Sequence, residues 1–332
     1  MKTLCNGEYG AISTKASRDR ALWALLDATA FAVYRLRELE LAQFHLTVEQ
    51  ASVLDLLQTL GRGITISELV NITLRQHHTM SILINRMVAV GLATKMRPAQ
   101  EKEFRILITG RGRELLASIT TRSLEAAFSS LTSSEKADMA RSLLCLREKA
   151  RSLFVPWIYT FLQPAAGRAP EDGGASEPHS GSRGTDFGLW SVLNRTRFAL
   201  SRLRELELAQ YSLTVEQASI LEVLRDGVSR TIKDLEDVTL RQHHSVSILV
   251  HRMAKTRLLE VARHPDQRTR RIFITREGKR LFDTITTASI QMTFCSLTER
   301  EKRQLSRSLR CLYVKARHLL GYSTPSLTRT PG

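Results

Sequence analysis

The stretch Arg35-Leu-Arg-Glu-Leu-Glu-Leu-Ala-Gln43 is written a second time, unchanged, as Arg202 to Gln210. Leu46-Thr-Val-Glu-Gln-Ala-Ser52 returns at the same spacing as Leu213 to Ser219. Thr73-Leu-Arg-Gln-His-His78 returns as Thr239 to His244, one residue closer, so one position has been lost in the loop around Gly61 and Gly227. At that shorter spacing Arg105-Ile-Leu-Ile-Thr109 matches Arg271-Ile-Phe-Ile-Thr275, and Cys145 matches Cys311. Several collinear blocks of this kind mean a duplicated domain, since two units of this length are not a solenoid array. Copy one is expected over 18–162 and copy two over 187–322. Between them, 163–186 is rich in Gly, Pro, Ala and Ser and reads as a linker. A flexible linker of that length spans roughly 25–30 Å, enough for the copies to lie side by side. The tail, 323–332, reads as disordered.

Each copy reads as helices followed by a short β-hairpin. Leu189 to Ala209 has a helical apolar period. Thr214-Val-Glu-Gln217 and Thr47-Val-Glu-Gln50 have capping-box spacing, as do Thr65-Ile-Ser-Glu68, Thr298-Glu-Arg-Glu301 and Thr132-Ser-Ser-Glu135. A short helix is expected near Thr231. Thr239-Leu-Arg-Gln242 has the same spacing and is read as opening a helix that runs to Lys255. On that helix Val246, Leu249, Val250 and Met253 form an apolar stripe, as do Met80, Leu83, Ile84 and Met87 in copy one. The period then shortens. Leu258 to Arg263 and Arg271 to Thr275 are β-like, joined by the arginine-rich tip His264-Pro-Asp-Gln-Arg-Thr-Arg270. A helix is expected to resume after Gly278. The fold class is therefore mainly α with small β-hairpin wings, in two tandem winged helix-turn-helix domains.

Lys and Arg number 49 against 33 Asp and Glu, a net charge of +16. A positive excess of that size favours a polyanionic partner, nucleic acid first among them. No apolar run is long enough to span a bilayer, and the first residues lack a signal-peptide pattern, so a cytoplasmic protein with no membrane partner is expected. The four cysteines form no C-x-x-C pair, as in a reducing compartment. No phosphate loop, nucleophile elbow, metal triad or paired-carboxylate motif is present, so neither an enzyme nor a cofactor protein is expected.

The ordered set Leu213-Thr-x-x-Gln217, recognition helix, Asp266-x-Arg268, Ile274-Thr-x-x-Gly278 and Leu297-Thr-x-x-Glu301 resembles the MarR (multiple antibiotic resistance regulator) family, and the resemblance covers nearly all of both copies. It implies a winged helix whose N- and C-terminal dimerisation helices interlock. It also implies recognition helices in successive major grooves, wings beside them, and a repressor released by a small, often aromatic, effector. With both copies in one chain, the resemblance implies an intramolecular pseudo-dimer on a pseudo-palindromic double-stranded DNA operator.

The candidate base-reading residues are Arg75, His77, His78, Thr79, Ser81, Ile82, Asn85 and Arg86 in copy one. In copy two they are Arg241, His243, His244, Ser245, Ser247, Ile248, His251 and Arg252. Polar side chains there can bond base edges or phosphates, and Ile248 can meet a thymine methyl or pack on a neighbouring helix. Adjacent histidines point about 100° apart on a helix, which disfavours a shared metal ion. The candidate wing residues are Arg97, Lys102 and Arg105, and Arg263, Asp266, Arg268, Arg270 and Arg271. In the resemblance, Arg268 enters the minor groove, held by Asp266. Copy one departs from this: Gln100 replaces the aspartate, Lys102 the arginine, and Glu101 and Glu103 dilute the charge. Cys145 and Cys311 are expected in core or interface packing. Trp23, Trp190, Phe31 and Phe198 suit either core packing or an effector site. The alternative function is a protein-interaction scaffold, with the basic face binding an acidic partner.

Overall fold

The computed structural model describes residues 6–99, 103–161, 184–263 and 270–322. Copy one runs α1 (Asn6–Ala42), α2 (Val48–Leu60), α3 (Ile66–Thr73), α4 (His77–Ala89), β1 (Ala93–Met96), β2 (Arg105–Ile108), α5 (Gly110–Ser118), α6 (Arg122–Phe128) and α7 (Ser133–Phe161). Copy two repeats the order: α8 (Thr185–Ala209), α9 (Val215–Leu224), α10 (Ile232–Thr239), α11 (His243–Lys255), β3 (Leu259–Arg263), β4 (Arg270–Ile274), α12 (Arg276–Thr284), α13 (Ala288–Phe294) and α14 (Glu299–Leu319). The mainly α fold with two antiparallel hairpins is as expected. Gly184 stands at the N-cap of α8, so the last residues of the stretch expected as linker lie in the start of that helix. The rest of the linker, 163–183, and the tail, 323–332, lie outside the described residues.

Local chemistry sets the helix starts. Thr47, Thr65, Thr214 and Thr231 each close a capping box, which satisfies first-turn N–H groups that have no intrahelical partner. Thr239 does not. It ends α10, its hydroxyl bonding back to the Leu235 carbonyl at 2.7 Å, and α11 starts four residues later at His243. Thr73 does the same in copy one. The reason is the turn: Leu74 and Leu240 adopt left-handed backbone, each with φ 55°, and each N–H closes the preceding helix on Val70 or Glu236. A helix cannot run through that conformation. The helix after the second hairpin likewise begins at Arg276, ahead of Gly278. Gly278 is packed so tightly that a Cβ would lie 2.2 Å from the Leu258 carbonyl oxygen; at Gly112 it would lie 2.3 Å from that of Leu92.

The long helices cross between copies. α1 packs along α14, α8 along α7, and α7 along α14. The contacts are reciprocal. Thr29 donates to the Leu309 carbonyl at 3.3 Å, and its repeat partner Thr196 donates to that of Leu143 at 3.0 Å. Lys302 pairs with Asp19 at 2.6 Å, and Lys136 with Asp186 at 2.5 Å. One surface meeting itself in this way is the signature of an isologous interface. A single apolar core runs from the helix-turn-helix of copy one through this seam into α8, α13 and α14. A second core, including Leu221, Leu235, Val246 and Met253, belongs to α9, α10, α11 and the second hairpin of copy two.

Candidate nucleic-acid interface

On α4, Met80, Ile84 and Met87 are buried, and on α11, Val246, Val250 and Met253. That anchoring turns the opposite faces outward. His77, His78, Thr79, Ile82, Asn85 and Arg86 are exposed, with Ser81 half-buried. His243, His244, Ser245, Ser247, Ile248, His251 and Arg252 are exposed on the second face. Ile82 and Ile248 are 39% and 38% exposed. Ile248 is thus a solvent-facing isoleucine rather than a helix-packing one. His243 is drawn back onto Glu236 of α10. In copy one Val70 occupies the place of Glu236, so His77 has no such carboxylate.

Two expected readers stand elsewhere. Arg75 and Arg241 precede the recognition helices, in the turn that Leu74 and Leu240 make. Arg75 bonds Glu49 at 3.2 Å and stacks on Phe198 of the other copy at 4.4 Å. Arg241 bonds Glu216 at 3.3 Å and stacks on Phe31 at 5.3 Å. A guanidinium held by a carboxylate on one side and a ring on the other belongs to the seam between copies, not to a groove-facing surface. Tyr34 reinforces the first of these, donating to Glu49 at 2.9 Å. Burial, with Glu49 beside it, pushes the Tyr34 hydroxyl far above the ordinary phenol range, so it stays a donor.

The wings differ at their bases. In β3–β4, Arg263 and Arg270 are cross-strand partners and both are exposed. Like charges placed opposite each other repel, and an anion between them relieves that. In copy one the same two places hold Arg97 and Phe104, and Arg97 lies over the Phe104 ring at 5.8 Å. Arg105 turns inward and donates to the Gly63 carbonyl at 2.9 Å, so it braces the hairpin against the loop after α2. Its counterpart Arg271 is half-buried. Lys102, Asp266 and Arg268 lie outside the described residues.

Two clefts open where the first helix of one copy lies over the reading lobe of the other. The larger, about 160 Å³, is walled by Trp23, Phe31 and Phe282, with Arg20 crossing from α1 to Glu222 at 3.4 Å. The smaller, about 50 Å³, includes Trp190, Phe198 and Arg195. Trp23 and Trp190 are themselves buried in the core. Asp27 in the larger cleft is bound by Arg197 at 2.7 Å. Its counterpart Asn194 in the smaller cleft has a buried Oδ1 with no hydrogen-bond partner among the described residues. Cys145 and Cys311 are exposed rather than packed inside, because they fall on the outward side of α7 and α14. Cys145 reaches across to the Ser296 carbonyl at 3.4 Å. Among the described residues no three His, Cys, Asp or Glu side chains gather closely enough to hold a metal ion. Nor is any described helix long and apolar enough to cross a membrane.

Residues 211–271, from the turn between α8 and α9 into β4, match the model of the MarR family. The match takes in the recognition helix α11 and strand β3, the elements that carry the second exposed face. The repeat relationship extends the same motifs to copy one, which the family match does not reach. Among solved structures, wild-type MarR from E. coli in its apo form is similar at 20% identity, over 33% of this chain and 86% of that one, with a TM-score of 0.30. No curated protein matches the chain by sequence. The match covers 61 of the 332 residues and shows likeness to that family over this segment alone.

Proposed function

We propose that the chain is a sequence-specific double-stranded DNA-binding repressor that acts as a single-chain pseudo-dimer on a pseudo-palindromic operator in the cytoplasm. The observation that carries this reading is the pair of matched exposed faces, His77, His78, Ile82 and Arg86 against His243, His244, Ile248 and Arg252, held on one body by a reciprocal seam. Two matched heads suit two matched half-sites. Histidine and serine supply donors and acceptors for base edges, isoleucine meets thymine methyls, and Arg86 and Arg252 neutralise phosphate or read guanine. The net charge of +16 supplies the attraction to the duplex.

The wings grip unequally in this reading. Copy two brings Arg263 and Arg270 to the base of its hairpin, with Arg268 at the tip entering the minor groove beside Asp266. Copy one brings Lys102 among glutamates. Arg268→Ala therefore weakens protection over one half-site far more than Lys102→Ala weakens the other, which footprinting reads directly. The larger cleft supports release by a small aromatic effector, since it lies where α1 of copy one rests on the reading lobe of copy two.

The deciding experiment is a gel shift with the DNA upstream of the protein's own coding sequence, repeated across salt concentrations. Binding that falls steeply and linearly in log–log form supports the reading through counterion release. Absence of binding to any duplex overturns it in favour of an acidic protein partner for the same basic faces.

A further inference from the structure

The exposed faces of the two recognition helices are chemically the same at every position but two. His77 and His78 repeat as His243 and His244, Ser81 and Ile82 as Ser247 and Ile248, Arg86 as Arg252, and Thr79 exchanges one hydroxyl for another as Ser245. The exceptions are Asn85, which returns as His251, and, in the last turn, Ala89, which returns as Lys255. At the first of these a difference in the neighbouring strand accompanies the exchange. Lys95 of β1 donates from Nζ to Asn85 Oδ1 at 2.6 Å, whereas the equivalent place in β3 holds Val261. Asn85 and His251 are both exposed, and among the described residues His251 has no hydrogen-bond partner.

An ammonium can only donate, so its contact fixes the orientation of the Asn85 amide: the oxygen faces Lys95 and the NH2 points outward. Copy one thus presents a preset cluster of donors, the Asn85 amide and the remaining Lys95 protons. Guanine is the base whose major-groove edge offers two acceptors, N7 and O6, to such a cluster. An untethered imidazole on copy two turns freely about its side-chain torsions and is held to no one hydrogen-bonding geometry. It does not enforce one base.

Resting on the DNA-reading function proposed above, we infer that Asn85 with Lys95 and His251 with Val261 are specificity determinants that make the operator asymmetric. One half-site carries a guanine at the base pair facing the third turn of α4. The other half-site is relaxed at the matching pair. The positions read by the shared histidines, serines and isoleucines are the same in both halves.

The test is selection from a randomised duplex library with the full chain, followed by binding measurements on the recovered sites. Three proteins are compared: the native chain, Asn85→His with Lys95→Val, and His251→Asn with Val261→Lys. Each variant residue is the one the other copy carries at the same place, so the fold is preserved. The native chain is expected to recover a site with guanine favoured roughly tenfold in one half only. The first variant then gives two relaxed halves, and the second gives guanine in both. A symmetric native site overturns the inference, as does a fixed base other than guanine or an asymmetry that survives both exchanges. Contact with phosphates alone would produce the symmetric result. Recovery of no preferred sequence at all overturns the DNA-reading function itself, and is a different outcome from a symmetric site.

Discussion

Lys302 Nζ lies 2.6 Å from the Asp19 carboxylate, joining the last helix of copy two to the first of copy one, with 7% and 3% of the two side chains exposed. The repeat-related pair, Lys136 and Asp186, has the same geometry at 2.5 Å but is 17% and 18% exposed. Duplication has kept the contact twice and left its two examples in different dielectric surroundings. Removing one partner of a buried pair strands a charge where water cannot reach it. Lys302→Met is therefore expected to cost about 3–5 kcal/mol of stability, and Lys136→Met about 1–2 kcal/mol. Urea unfolding of the full chain measures both. Equal losses would mean that the burial difference has no energetic weight.

Glu40 gives a second, pH-dependent handle on the same helix. Burial alone would raise its carboxyl, but hydrogen bonds from Ser123, Thr120 and Arg37 outweigh that and hold it below the ordinary value of 4.5. Its folded-state value is depressed, so the stability it contributes is present above about pH 4.5 and disappears as the pH falls through the folded value. Glu40→Gln is expected to be less stable than the native chain by about 2 kcal/mol at neutral pH, because it also leaves Arg37 buried without its carboxylate. The gap should close as the pH falls below about 4.5 and through the depressed folded-state value. Urea melts across that range check it, and a gap independent of pH would refute the assignment.

The sites legible in the sequence were those that local chemistry decides. The capping threonines at 47, 65, 214 and 231 have partners three residues away and needed no tertiary context. The apolar stripes of α4 and α11 fixed which faces turn outward. The errors share one cause. Thr73 and Thr239 carry the same spacing as true caps, but the left-handed turn at Leu74 and Leu240 takes those residues into the end of the preceding helix. That turn places Arg75 and Arg241 ahead of α4 and α11 in the seam, where the rings of Phe198 and Phe31 receive them. The bracing contact of Arg105 is not legible for a related reason: its acceptor, the Gly63 carbonyl, lies 42 residues away and no spacing announces it.

The displacement of Arg75 has a measurable consequence. Arg75→Ala should destabilise the chain by loosening Phe198 and Glu49, yet leave the slope of log affinity against log salt unchanged, because no phosphate contact is lost. Arg86→Ala, on the exposed face of α4, should do the reverse, keeping stability and lowering the slope by about 1. Fluorescence anisotropy with one labelled duplex at several salt concentrations separates them. A reduced slope in Arg75→Ala would return that residue to the DNA surface.

The two clefts make a prediction about stoichiometry. They are repeat-related, yet one is about 160 Å³ and the other about 50 Å³. Part of the difference is that Ala28, beside the larger cleft, is replaced by Arg195 beside the smaller. A small aromatic anion such as benzoate should therefore bind once per chain, not twice as in a symmetric dimer. Arg195→Ala removes the bulk that narrows the second cleft, beside Asn194, whose Oδ1 has no hydrogen-bond partner among the described residues, and should raise the stoichiometry toward two. Ala28→Arg should fill the first and abolish binding. Isothermal titration calorimetry counts the sites in each case. Two equivalent sites in the native chain would mean that the smaller cleft opens at little cost, and the asymmetry of the reading heads would then have no counterpart in effector binding.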